Sequence, residues 1–440
     1  MAARGNDRAD ETAAQTQAGR QPPIELRRAV FLICAGLFIT SLGQPGVIGG
    51  LPFRFLFKNQ FHLNASEQAN FFAVATFAWY LKPVAGLLCD SLPILGTRRR
   101  SYLLLSSFAA AVTWALFAVV PRSYEVFFAL MVALNGAMVF ASTSIGGILV
   151  EVGHRGGATG RLASVRYAID GLVIMIAGPL GGWLASCAFG WTAGIGTVLL
   201  GSLVPATLRL LQEAPDARPD LGVWATAAAQ FRVILRSRTM WAASALLLLV
   251  YVAPGFGMAL TYYQQDVLRF STVFIGQLQA LSGFGGIAAS AFYAVACRKL
   301  PLKPLLLVGI LLNAFGSLLY VGYRTPASAV IIETVNGFLS ILGILPLFDL
   351  AARATPKGSE SFGYALLMSV YNVAVFAISN PVGAALYELP SPEWHHNLQR
   401  LVWLNTATSL IALVLLPVVP RALLVHRERN LDEGNQGSET

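Results

Sequence analysis

Apolar residues fall along this chain in blocks of about 20, the length that crosses a bilayer as a helix, and short polar islands separate the blocks. They predict spans 1 to 6 at 29–52, 67–90, 102–121, 124–150, 162–187 and 190–211. A polar stretch, 212–238, parts this series from spans 7 to 12 at 239–263, 272–297, 303–323, 326–350, 361–387 and 398–425. The predicted organisation is a tail at 1–28, a six-span half at 29–211, a linker at 212–238, a second half at 239–425 and a tail at 426–440. The tails lack apolar periodicity and read as disordered. In the linker Pro215 and Pro219 stop any helix. After them Trp224, Phe231, Ile234 and Leu235 oppose Arg232, Arg236 and Arg238, the pattern of an amphipathic helix on a membrane surface.

Composition agrees with the pattern. Of 440 residues 55% are hydrophobic and 12% charged, against about 25% charged in a soluble domain. That balance excludes a disordered chain, a secreted disulfide scaffold and a nucleic-acid groove, although the net charge is +9. The positive charge is topological. With the N-terminus inside, most Lys and Arg fall on the cytoplasmic side, where they meet anionic lipid headgroups. Arg54, Lys58, Arg122, Arg269, Arg324 and Arg400 fall outside. Both termini are expected in the cytoplasm, and the cell (inner) membrane is the expected location.

Cys34, Cys89, Cys187 and Cys297 show no CxxC spacing, and His395-His396 beside Glu393 reads as a solvated loop, so no metal or cofactor is expected. No nucleotide loop and no selectivity-filter repeat occurs, and no catalytic constellation marks an enzyme. Six spans plus six about a charged linker predict an all-α membrane protein of twelve helices. This is the plan of a pseudo-symmetric secondary transporter, acting as a monomer on a small-molecule solute.

The end of span 2 and the loop after it read Lys82-Pro83-Val84-Ala85-Gly86-Leu87-Leu88-Cys89-Asp90-Ser91-Leu92-Pro93-Ile94-Leu95-Gly96-Thr97-Arg98-Arg99-Arg100-Ser101-Tyr102. This KPxxGxxxDSxPxxGxRRRxY pattern resembles the major facilitator signature between helices 2 and 3, in the version of the folate–biopterin transporter family. Tyr262-Tyr263 through Leu268-Arg269-Phe270-Ser271 and Gly276 is similar to that family's turn between helices 7 and 8. Pro356 to Glu360, Ala365 to Ser369 and Ser379-Asn380 are similar to its helix 11. The resemblance covers most of residues 30–425. It implies the major facilitator fold and carriage of a small anionic, folate- or pterin-like solute by alternating access, with or without proton symport. It departs on helix 4, where the family's ADxxxDxxxxE reads Ala141 to Glu151 with Ser142 and Gly146 in place of both aspartates. The departure bears on solute and coupling. A permease for another organic solute and a membrane sensor that moves nothing are the alternatives it favours.

Ionisable side chains inside a span cost about 2.5–3.5 kcal/mol each on insertion scales, so each is a functional candidate. Lys82 lies two turns before Asp90, near the midplane. Its ammonium can hold an anionic solute with Trp79 as a stacking face, or pair internally to fix helix packing. Arg166 and Asp170 share a face of span 5. They form either a structural pair or a proton-responsive one, in which protonated Asp170 frees Arg166 for the solute and stands in for the missing helix 4 carboxylates. Glu333 and Asn336 on span 10 are further candidates for the cavity wall. Gln44-Pro45-Gly46 in span 1 and Pro254-Gly255 in span 7 occupy matching positions and predict kinks, with Gln44 a candidate solute contact. Ser369, Asn372, Ser379 and Asn380 on span 11 either line the cavity or bond neighbouring helices. Asp90 with Arg98, Arg99, Arg100 and Glu151 predicts a cytoplasmic gate, and Asp349 with Arg353 a looser counterpart.

Overall fold

The computed structural model describes residues 23–155, 159–211, 213, 222–356, 360–390 and 394–418. Among these the chain is helix joined by short turns, without a strand. An isolated bridge from Ile94 to Thr97 closes the turn after span 2, where Leu95 (φ 51°) and Gly96 (φ 78°) are both left-handed. Glycine takes that conformation freely and leucine at a cost, so the turn that aims Arg98 to Arg100 is a strained one.

Nine segments among the described residues are long and apolar enough to cross a membrane, and they correspond to predicted spans 2 to 6 and 8 to 11. Spans 1, 7 and 12 fall short, each for a reason visible in its residues. Span 1 starts earlier and ends later than its apolar block, as helices Pro23–Leu42 and Gly50–Gln60 either side of a turn containing Gln44-Pro45-Gly46. Span 7 runs Arg238–Tyr251, breaks at Pro254-Gly255 and resumes as Gly257–Tyr262. Proline cannot donate to the preceding turn, so both kinks are full breaks. Span 12 is the helix Trp394–Ile411, which carries His395, His396, Gln399, Arg400 and Asn405 among its apolar residues.

The linker helix spans Gly222–Arg236 and meets Arg238–Tyr251 at 76°. It buries Ala227 and Ile234, and its Trp224 Nε1 donates to Ser91 Oγ at 3.0 Å. The end of the bundle that carries this helix is the linker end here, and the opposite one the far end.

In the first series the core at the far end is aromatic. Phe53, Phe57, Phe71, Trp114, Phe117 and Phe127 are buried together, with Phe53 lying 5.1 Å from Phe117 and 4.9 Å from Phe189. Trp114 Nε1 donates to Gly43 O at 3.1 Å, which satisfies a carbonyl at the span 1 break. The second series treats its break alike: Asn405 Nδ2 donates to Pro254 O at 3.0 Å and Ser379 Oγ to Ala253 O at 2.6 Å. The two series meet closely between spans 5 and 8, where a Cβ on Gly276 would stand 2.3 Å from Gly178 O. Only glycine permits that approach.

Candidate functional site

Span 2 is helix over Ala65–Ala75, a tighter 3-10 turn over Phe77–Leu81, and helix again over Lys82–Ser91. Pro83 explains the break, since its missing N–H leaves Trp79 O without a helical donor. Asn372 of span 11 supplies the donor instead, Nδ2 to Trp79 O at 3.3 Å, and so ties the two series together near the middle of the bundle. The break also sets side chains. Trp79 Nε1 donates to Asn135 Oδ1 at 2.9 Å, and Asn135 is held by Met131 O. The fixed indole then lies under Lys82, whose Nζ is 5.3 Å from the ring centroid, a cation–π contact.

Lys82 Nζ donates to Ser142 Oγ at 3.4 Å. Ser142 is one of the two residues that replace aspartates on helix 4, so the ammonium meets a neutral oxygen there. At the other replaced position, a Cβ on Gly146 would meet nothing within 4 Å, so that side of span 4 is open. Lys82 lies within electrostatic reach of both Arg166 and Asp170. Asp170 accepts from Ser41 Oγ of span 1 at 3.1 Å and stands 3.9 Å from Arg166 Nε. Arg166 and Asp170 remain 45% and 40% exposed. Three charged groups from spans 2 and 5 therefore share one region, with an aromatic face, and cations outnumber carboxylates.

Glu333 and Asn336 stand apart from that group. Glu333 is buried beside a cavity of about 290 Å³ and accepts from Tyr323 Oη at 3.3 Å. Asn336 donates to Tyr320 Oη at 3.2 Å and packs against Gly316 of span 9, so of the two cavity-wall candidates Glu333 borders the cavity and Asn336 does not. The cavity at the span 1 break is lined by Gly46 and Val47 and not by Gln44. On span 11, Asn372 and Ser379 bond neighbouring helices and Ser369 bonds its own, Oγ to Ala365 O at 3.2 Å.

The expected gate groups pair inside their own series. Asp90 Oδ1 meets Arg99 Nη2 at 3.3 Å, Arg98 Nη1 donates to Asp90 O at 2.7 Å, and Arg99 also bonds Gly147 O. Glu151 lies on the helix Tyr124–Arg155, with its side chain outside the described residues. Asp349 and Arg353 form a two-pronged pair at 3.0 and 2.9 Å. Among the described residues, bonds with and without charged partners bridge the two series at the far end. Lys58 pairs with Asp266, Arg54 Nη1 donates to Thr261 Oγ1 at 2.8 Å, Gln68 Nε2 to Tyr262 Oη at 2.6 Å, and Ser66 N to Glu388 Oε1 at 3.0 Å.

Residues 46–436 match the BT1 family along most of the chain. The chain belongs to the BT1 family. Among relatives, it is 26% identical over 404 residues to the folate-biopterin transporter of Synechocystis sp., covering 85% of this chain and 79% of that one. It is 21% identical over 436 residues to folate transporter 1 of Plasmodium falciparum, covering 92% and 82%. Similar solved structures include a D-xylose-proton symporter and a peptide transporter bound to sulfate, each with TM-score 0.67. The first is 15% identical and covers 90% of this chain and 97% of its own; the second is 14% identical and covers 90% and 96%. They show the fold, an all-α major facilitator architecture. This BT1 protein is a multi-pass integral membrane protein of a transporter family and not an enzyme.

Several residues of the BT1 site carry no charge to mark them in sequence. Ser41, Asn135 and Ser142 are neutral, and such residues are ordinary inside spans. Glu213 is a different case: its carboxylate accepts from the backbone N–H groups of Arg98, Arg99 and Arg100 at 2.7–3.2 Å. It caps the helix Arg99–Val119 across a long separation in sequence, where the helix dipole favours an anion. From sequence Arg54 and Lys58 read only as cations on the outer side, yet they bond across the far end to Thr261 and Asp266.

Proposed function

We propose that this BT1 protein carries a small organic anion, folate- or pterin-like, by alternating access. The observation that carries the reading is Lys82, seated over the Trp79 indole at a break in span 2 and facing Ser142 in place of a carboxylate. An ammonium above a fixed aromatic face suits a solute that joins a carboxylate to a flat ring. Arg166 supplies a second cation. Asp170 competes with the solute for it, so that protonation of Asp170 favours binding and links proton concentration to uptake.

The density of Lys and Arg supports a cytoplasmic linker end. Bonds across the far end, with Arg166 and Asp170 exposed, support a state open to the cytoplasm. In the carrier cycle the two halves, 29–211 and 239–425, rock about the Asn372–Trp79 contact, the far-end bonds part, and the Asp90–Arg99 region closes.

Purified protein in proteoliposomes tests this through uptake of labelled folate, biopterin and a control organic anion, with and without a pH gradient. Folate or biopterin uptake above empty vesicles is expected, increased by an acidic outside. Uptake of the control anion alone would instead establish the second reading, favoured by Ser142 and Gly146, of a permease for another solute. No uptake of any of the three would contradict carriage of this class.

A further inference from the structure

Glu333 has 9% of its surface exposed, and its hydrogen-bonding neighbours are neutral. Tyr323 Oη donates to its Oε1 at 3.3 Å, and Tyr320 is a second phenol facing the carboxylate. Each phenol is itself oriented by an amide. Gln264 Nε2 donates to Tyr323 Oη at 2.6 Å and Asn336 Nδ2 to Tyr320 Oη at 3.2 Å. With its oxygen occupied as acceptor, each hydroxyl is left to turn its proton toward Glu333. Tyr320 and Tyr323 also stack, with centroids 5.3 Å apart, which holds both in place.

On its other side Glu333 borders the cavity of about 290 Å³, shared with Gly46 and Val47 of span 1, Ile174 and Gly178 of span 5, and Gln279 and Ser282 of span 8. None of these is charged. The elements packed against Glu333 from spans 7 and 9 contribute Gln264, Tyr320 and Tyr323 and no cation, so among the described residues its charge has only neutral donors to face. An ionised carboxylate so placed is a buried charge without a counter-ion, offset only in part by the phenol donors, whereas a protonated one carries no charge to desolvate. Both series wall the cavity, so its wetting changes when the halves move.

We propose that Glu333 is the site at which the carrier takes up and releases its coupling proton, neutral while the cavity is closed and ionised once water reaches it. The proposal rests on the carrier reading above and names where the proton rides. Asp170 differs in kind, with a cation 3.9 Å away and 40% of its side chain exposed. It acts on Arg166, and Glu333 carries the transported proton.

Infrared difference spectroscopy of the purified protein between acid and alkaline pH reads protonated carboxyl groups with no solute present. The wild type is expected to show a titrating carboxylic-acid band that E333Q lacks, D170N keeps and Y323F shifts in frequency. In proteoliposomes with the membrane potential clamped at zero, one proton per cycle concentrates folate up to about tenfold per unit of pH difference. E333Q is expected to lose that accumulation and E333D to recover it, which separates loss of the proton from loss of the fold. A band unchanged in E333Q or abolished in D170N overturns the proposal, as does undiminished accumulation in E333Q. If the wild type carries no folate yet shows the Glu333 band, the solute reading fails and the proton site stands.

Discussion

Lys82 faces Ser142, and that single contact gives the site its sign. Were a carboxylate at 142, it would sit beside Nζ and occupy the charge that a solute needs. Ser142→Asp is therefore expected to weaken folate binding about tenfold, near 1.4 kcal/mol, while Ser142→Asn, similar in shape and neutral, leaves it close to wild type. Equal affinities for the two variants, measured by calorimetry, would argue against Lys82 as the anion holder. Which residues could be found in advance follows from cost. Lys82, Arg166, Asp170 and Glu333 stand out because the membrane penalises each of them. Ser41, Asn135, Tyr320 and Tyr323 orient those charges, but as neutral groups they carry no comparable penalty and no signal. Asn372 had a signal at one remove: Pro83 frees Trp79 O, and some donor must answer it.

At the scale of elements, glycine decides how closely spans approach. Gly276→Ala pushes a methyl group against Gly178 O at 2.3 Å, backbone that has nowhere to go, and overpacking of this kind costs about 1–3 kcal/mol. Gly146→Ala adds the same atom where nothing lies within 4 Å. Thermal unfolding in detergent is expected to show a clear loss of stability for the first and no loss for the second. The far-end closure carries a pH dependence of its own. Burial holds the Glu388 carboxyl above the usual carboxylate range, opposed by the N–H groups of Ser66 and Ala65. The closed form thus binds its proton more readily than an open form that exposes it. Ionisation of Glu388 opposes closure at high pH, and acidification relieves that penalty until the exposed group is protonated too. Distance measurements between spin labels on 66 and 388 flanks should show closure favoured as pH falls, and Glu388→Gln should flatten that response. An equal response in Glu388→Gln would remove Glu388 as its source.

For the whole molecule, alternation of apolar blocks and polar islands was sufficient to place most of the helices, because a bilayer tolerates little else across its width. Spans 1, 7 and 12, counted among the apolar blocks, fall short as single spanning helices because two are broken at proline and the third is polar in its first turns. The Pro-Gly pairs that break spans 1 and 7 are legible in sequence. The 3-10 turn Phe77–Leu81 in span 2, which contains Trp79 and ends just before Lys82, follows from Pro83 once its missing N–H is seen to free Trp79 O. The contacts closing the far end were hidden for a different reason: Lys58 and Asp266 lie in separate series, and no local pattern joins them.

The most direct test of the central claim is folate binding to the purified protein, wild type against Lys82→Ala, by titration calorimetry at constant pH. A charge-assisted bond of about 1.5–3 kcal/mol predicts affinity lower by roughly ten- to a hundredfold in the variant. Affinity unchanged on removal of the Lys82 ammonium, in protein that unfolds at the wild-type temperature, would contradict the account.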